Sequence, residues 1–224
     1  MPSATLRMIF LVLLALATPA ATLGAAAQTP ADQPADAHAV IERMDARNPS
    51  LRSFRTRVHV GIRMLSFPWF APELDGTSYY QRPDYYEVVF DRVPSYARGF
   101  QRIFDDIGNP HAWEKDHFVT LEGTAMLGGR SAIVLRMTKK IHSDILDHTL
   151  AYVDPSNYAL LQMEWYYTSG GKITMTQQYR MQGGYAVLAQ QHADIDIPHV
   201  RAVADSSYGT YETNVPIATG SAQP

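Results

Sequence analysis

The sequence predicts a mainly β fold: a strongly curved antiparallel sheet, or incomplete β-barrel, of about ten strands with two or three helices on its concave face. Three observations carry that prediction. Apolar and polar residues alternate with period two over most of the chain, turn-forming pairs punctuate the alternation, and only two stretches repeat apolar residues at helical spacing. A sheet that is dry on one face must curl or be covered, and so few helices cannot fully cover so many strands. Any part of the concave face that they leave open is an apolar cavity.

The elements follow in chain order. Residues 1–27 carry one charge, Arg7, then the apolar run MIFLVLLALA, then small residues ending in Ala25-Ala26-Ala27. That order predicts a secretory signal, and Pro19 within so short a stretch argues against a membrane span. Residues 28–35 read as a flexible spacer, 36–216 as one domain, and 217–224 (IATGSAQP) as a disordered tail. The expected product is periplasmic or otherwise exported, and soluble after cleavage. With no cysteine it forms no disulfide and lacks the thiol of a bacterial lipoprotein anchor.

Asp36 is placed to cap a helix carrying Ala37, Val40, Ile41 and Met44 on one face and stopping before Pro49. A second helix is expected after Pro94, with Tyr96, Phe100, Ile103, Phe104 and Ile107 on its apolar face. Strands are expected near 54–65, 73–81, 85–91, 116–123, 130–139, 146–153, 159–168, 172–181, 185–196 and 199–211. Short turns between them imply an antiparallel meander. Asp75-Gly76, Gly128-Gly129, Asp154-Pro155-Ser156-Asn157 and Gly183-Gly184 are turn signals. Ser169-Gly170-Gly171 reads as a three-residue hairpin loop, setting Tyr167 opposite Ile173 and Trp165 opposite Met175.

Net charge is −3, from 19 Lys plus Arg against 22 Asp plus Glu, with no basic run, so nucleic acid is excluded as an expected partner. The chain is rich in side chains that adapt to shapeless ligands, with 13 Tyr, 8 Phe, 3 Trp and 9 Met. Strand parity puts Val60, Ile62, Met64, Leu135, Met137, Met163, Trp165, Tyr167, Ile173, Met175 and Met181 on dry faces. The run Leu65-Ser66-Phe67-Pro68-Trp69-Phe70-Ala71-Pro72 reads as an ordered aromatic loop at the sheet's rim. The candidate lining of an apolar cavity is therefore Val60, Ile62, Met64, Trp69, Phe70, Leu135, Met137, Met163, Trp165, Tyr167, Ile173 and Met175, and the competing reading of the same residues is ordinary core.

His192, Asp194 and Asp196 share one side of a strand with His199 beyond it, but donors about 7 Å apart along one strand hold an ion only if another strand closes the site. They read as a solvated face, as do His142, Asp144, Asp147 and His148. With no H-E-x-x-H, no G-x-S-x-G and no glycine-rich phosphate loop, neither an enzyme nor a cofactor or metal is expected.

The signal-like start, the first helix running into a strand (AVIERMDARNPSLRSFRTRVHVGIRM) and the later run YVDPSNYALLQMEWYYTSGGKITMTQQY resemble the LolA-like family. These periplasmic carriers of the outer-membrane lipoprotein-sorting superfamily ferry lipoproteins to the bacterial outer membrane. The resemblance implies a half-open barrel with a helical lid over a cavity for acyl chains. Its implied partners are the acyl chains of lipids or lipoproteins, with envelope membrane proteins as further partners. The alternative function is an envelope protein-interaction or stress-sensing module on the same scaffold, its interior filled by its own side chains.

Overall fold

The structure is a computed structural model that describes residues 36–83, 85–92 and 109–217. The expected signal and spacer, the expected second helix and residues 218–224 of the tail lie outside the described residues.

Helix α1 (Ala37–Asp45) forms as its sequence dictates. The Asp36 carboxylate accepts the Ala39 N–H at 2.9 Å, satisfying one of the amides that a helix start leaves unpaired, and Ala37, Val40, Ile41 and Met44 are buried. The helix ends at Asp45, ahead of Pro49. A single 3₁₀ turn (Pro110–Ala112) leads into the short α2 (Trp113–Asp116), whose Trp113 reaches the core.

Eleven strands form one antiparallel sheet that does not close: β1 (Ser53–Met64), β2 (Glu73–Gln81), β3 (Tyr85–Phe90), β4 (His117–Leu127), β5 (Arg130–Lys139), β6 (Leu146–Val153), β7 (Leu160–Tyr167), β8 (Lys172–Gln182), β9 (Tyr185–Ile197), β10 (Val200–Tyr208) and β11 (Glu212–Thr213). The order is β3-β2-β1-β10-β9-β8-β7-β6-β5-β4, with β11 beside β1. The expected single meander is thus two. Strands β1–β3 and β4–β10 each run consecutively, and β1 joins them by pairing with β10, Val58 opposite Tyr208 and Met64 opposite Ala202. Chain adjacency cannot reveal that long-range pairing.

Four local expectations are corrected. The β7–β8 hairpin is shifted by two residues, so that Trp165 lies opposite Ile173 and Met163 opposite Met175. A two-residue slip changes no side chain's face, so alternation fits both registers. Thr168 decides between them. Its N–H donates to the Ile145 carbonyl at 2.9 Å and its hydroxyl to the Asp144 carbonyl at 2.5 Å, which draws it towards the neighbouring loop. The turn then closes from Tyr167 to Gly171 on two glycines with φ near +85°, and a Cβ on Gly171 would collide with the Asp196 carbonyl.

Asp75-Gly76 is not a turn but lies inside β2, where glycine makes room for the Phe90 ring of β3. Strand β4 does not stop at residue 123. A bulge between Leu121 and Gly123, with Gly123 at φ +113°, absorbs one residue and the pairing continues to Leu127. Finally, Met181 is 68% exposed instead of buried, because alternation in β8 is lost beyond the irregularity opposite Gln178 and Tyr179.

Candidate ligand-binding site

Along six neighbouring strands the inward-facing residues change character from one end of the sheet to the other. The sequence runs Ile62, Val60, Val58 to Thr56 and Phe54 in β1, Leu74 to Ser78 and Tyr80 in β2, and Ile173, Met175 to Gln177 and Tyr179 in β8. Strand β7 offers Trp165 and Met163 before Leu160, β9 Ile195 and Ala193 before Gln191, and β10 Ala202 before Ser206 and Tyr208. One end is thus a closed apolar core and the other a polar, tyrosine-rich floor.

At the polar end the side chains leave a cavity of about 150 Å³. Its walls include Met44, Arg47 and Asn48 from α1 and the turn after it, Ser78, Tyr80 and Arg82 from β2 and its end, and Tyr158, Tyr179, Tyr208 and Tyr211. Several contacts hold this wall in place. The Arg47 guanidinium lies 4.5 Å over the Tyr179 ring, Arg43 donates to the Tyr158 hydroxyl, and Asn48 exchanges both of its amide groups with the Ala186 backbone at 3.0 Å. Tyr208 donates to Gln191 and Tyr179 to Gln177, each at 2.6 Å.

Tyr158 projects from the Asp154 turn, which the sequence had marked. The buried Asp154 carboxylate accepts the Ser156 N–H at 2.8 Å, the Ser156 hydroxyl at 2.6 Å and Arg130 at 2.5 Å, and Tyr158 itself sits at φ +55°. Burial pushes the Asp154 carboxyl up, but the Ser156 hydrogen bonds and the Arg130 charge outweigh it and hold it below the ordinary carboxylate value.

Burial likewise raises the Tyr80, Tyr179, Tyr208 and Tyr211 phenols, so they stay neutral hydroxyls. Three lining groups lack any hydrogen-bond partner: the Ser78 hydroxyl, the Arg82 Nε and the Asn109 amide nitrogen. Arg82 spends its remaining nitrogens on Asp45, 3.2 Å from the carboxylate and 2.7 Å from the carbonyl.

None of the twelve sequence-predicted lining residues borders this cavity among the described residues. Val60, Ile62, Leu135, Met137, Met163, Trp165, Ile173 and Met175 are buried in the core, and Met64 and Tyr167 pack against it. Phe70 is half-buried and Trp69 is 83% exposed, with Phe67 edge-on to it at 6.0 Å. Hydrogen bonds tie that loop to the start of β10. Leu65 and Ser66 both donate to the Arg201 carbonyl, and the Ser66 hydroxyl accepts the Arg201 N–H at 2.9 Å. Sequence reasoning missed the cavity's own lining. Its signal was Ser78 and Gln177, polar residues at inward parity two positions before Tyr80 and Tyr179.

The outer face carries His192. His192 lies 2.7 Å from Asp205 and 3.5 Å from Asp194, and its pKa is raised by the Asp205 hydrogen bond. No group of three ligating residues able to hold a metal occurs among the described residues. Gln162 and Glu164 alternate with the dry positions Met163 and Trp165, yet they are only 9% and 6% exposed. Lys172, Tyr166 and Tyr152 close over Glu164 at 2.7–2.9 Å. Burial works to raise Glu164, but these three hydrogen bonds lower it further.

No protein-family model and no curated protein matches the sequence. Solved structures do. A DUF1329 family protein from Desulfovibrio piger superposes with a TM-score of 0.62 at 10% identity, over 80% of this chain and 92% of that one. A LolA superfamily protein from Nitrosomonas europaea gives 0.61 at 15% identity, over 80% and 94%. A domain from Vibrio parahaemolyticus named for outer membrane lipoprotein sorting gives 0.61 at 10% identity, over 80% and 93%. At these identities the likeness is one of fold, and the fold is LolA-like.

Proposed function

We propose that this chain is an exported, non-catalytic binding protein that takes acyl chains of a lipid or lipoprotein against the concave face of its sheet, as a carrier would. The observation that carries this reading is the nature of the cover. A nine-residue helix lays Val40, Ile41 and Met44 onto the apolar face, where an acyl chain would otherwise lie. The cavity of about 150 Å³ is below the roughly 300 Å³ at which ligand pockets begin, so loading requires α1 to move.

The energies are comparable. Exposing those three side chains costs about 5–9 kcal/mol, while burying a sixteen-carbon chain returns up to about 12 kcal/mol at ~0.8 kcal/mol per methylene. An exchange so near balance suits a protein that must both load and release. The LolA-like fold supports the reading, and the signal-like first 27 residues support a periplasmic or other exported location. Among the described residues no helix is long and apolar enough to cross a membrane.

Native mass spectrometry of the protein purified from its envelope without detergent, followed by extraction, tests this. A stoichiometric lipid or acylated peptide is the expected result. A clean unliganded mass, with no uptake of fluorescent fatty acid, overturns it and favours the second reading, an envelope protein-interaction module. The closed core around Trp165 and Met175 and the exposed Phe67 and Trp69 are the observations on that side.

A further inference from the structure

The polar end of the concave face has chemistry that an acyl chain does not need. Ser78 is fully buried and Asn109 is 5% exposed, yet the Ser78 hydroxyl and the Asn109 amide nitrogen have no partner, and neither has the Arg82 Nε. Leaving a buried polar group unbonded costs about 1–3 kcal/mol, so three on one cavity wall are a standing deficit unless something with acceptor atoms fills it. Arg82 and Asn109 can only donate through these nitrogens, and the serine hydroxyl can donate as well. The missing partner is therefore an acceptor. Charge gives its sign: of the charged lining residues Arg47, Arg82 and Asp45, the acid is already paired with Arg82, which leaves the wall net positive.

Resting on the carrier reading above, we propose that this cavity is the head-group subsite of an amphipathic ligand and takes an oxyanion, a carboxylate or phosphate, on Ser78, Arg82 and Asn109. The size agrees, since about 150 Å³ accommodates a head group but not a long chain. So does the position. Ser78 and Leu74 share the inward face of β2, so a head bound at Ser78 points its chain along the apolar half of the sheet. Burial keeps the Tyr80, Tyr179, Tyr208 and Tyr211 hydroxyls around the site neutral, so they set no negative charge against the anion.

Isothermal titration of the mature protein with dodecanoate and with dodecan-1-ol, which share a chain and differ in head group, tests the subsite. Wild type should bind the acid at least tenfold tighter than the alcohol. S78A and N109A together should shrink that preference to about threefold or less, with an unliganded melting temperature equal to or above that of wild type, because each removes an unbonded group. Acetate or inorganic phosphate alone, bound with the same dependence on Ser78 and Asn109, also supports the oxyanion site and identifies its source as a free anion. Equal binding of acid and alcohol by wild type overturns the subsite while the carrier reading stands, as does an acid preference that survives both substitutions. Failure of wild type to bind any of these probes overturns both.

Discussion

The two halves of the concave face are built on the same strands and the same alternation, yet they are finished differently. In the half around Leu135, Met163, Trp165 and Met175 every side chain is closed in by others. In the half around Ser78, Tyr179 and Tyr211 the wall is held by specific contacts, such as Arg47 over Tyr179, and donors are left without acceptors. The first half holds the fold together through close packing. The second carries unbonded donors and so contributes less to stability.

That contrast can be broken most forcefully in the closed half. Trp165→Arg or Met175→Arg puts an unpaired charge among apolar side chains and should abolish cooperative thermal unfolding in circular dichroism. If either variant instead folds normally and only loses ligand, the closed half is a pocket lining. Leu135→Ala should cost about 2–5 kcal/mol by urea titration, because the site is fully enclosed.

A smaller effect should appear on acidification. Asp154 and Glu164 have carboxyls held below their ordinary values, so the stability they contribute is present above those ordinary values and is lost as pH falls through the lowered ones. The melting temperature should therefore hold near neutrality and drop below about pH 4. Asp154→Asn should flatten that drop and loosen the turn that presents Tyr158. The smallest effect belongs to Trp69→Ser, at 83% exposure, which should change stability by no more than about 0.5 kcal/mol.

Period-two alternation was enough to place ten strands, and the Asp36 cap and the Val40-Ile41-Met44 stripe placed α1, because those features are local. What alternation could not supply was anything fixed by distant partners. Val58 meets Tyr208 only in three dimensions, and Thr168 chooses the hairpin register through Ile145. The cavity lining was missed for a related reason. Parity says which face a residue occupies but not how far along the groove the interior stays apolar, so it named Met163 and Trp165 but did not single out Ser78 and Gln177. Glu164 illustrates the same limit on the outer face, where Tyr152, Tyr166 and Lys172 bury a residue that alternation leaves wet.

The pairing of β1 with β10 has a consequence in time as well as in space. Their contacts join residues about 150 positions apart, such as Val58 and Tyr208, so closing them carries a large loop entropy and is expected to be slow. A chain that emerges amino end first presents β1 with an open edge until its last long strand arrives. Over that interval Val58, Val60 and Ile62 stand uncovered, exposed to any passing strand, and the early life of the molecule is a race between its own carboxyl-terminal third and whatever else could pair there.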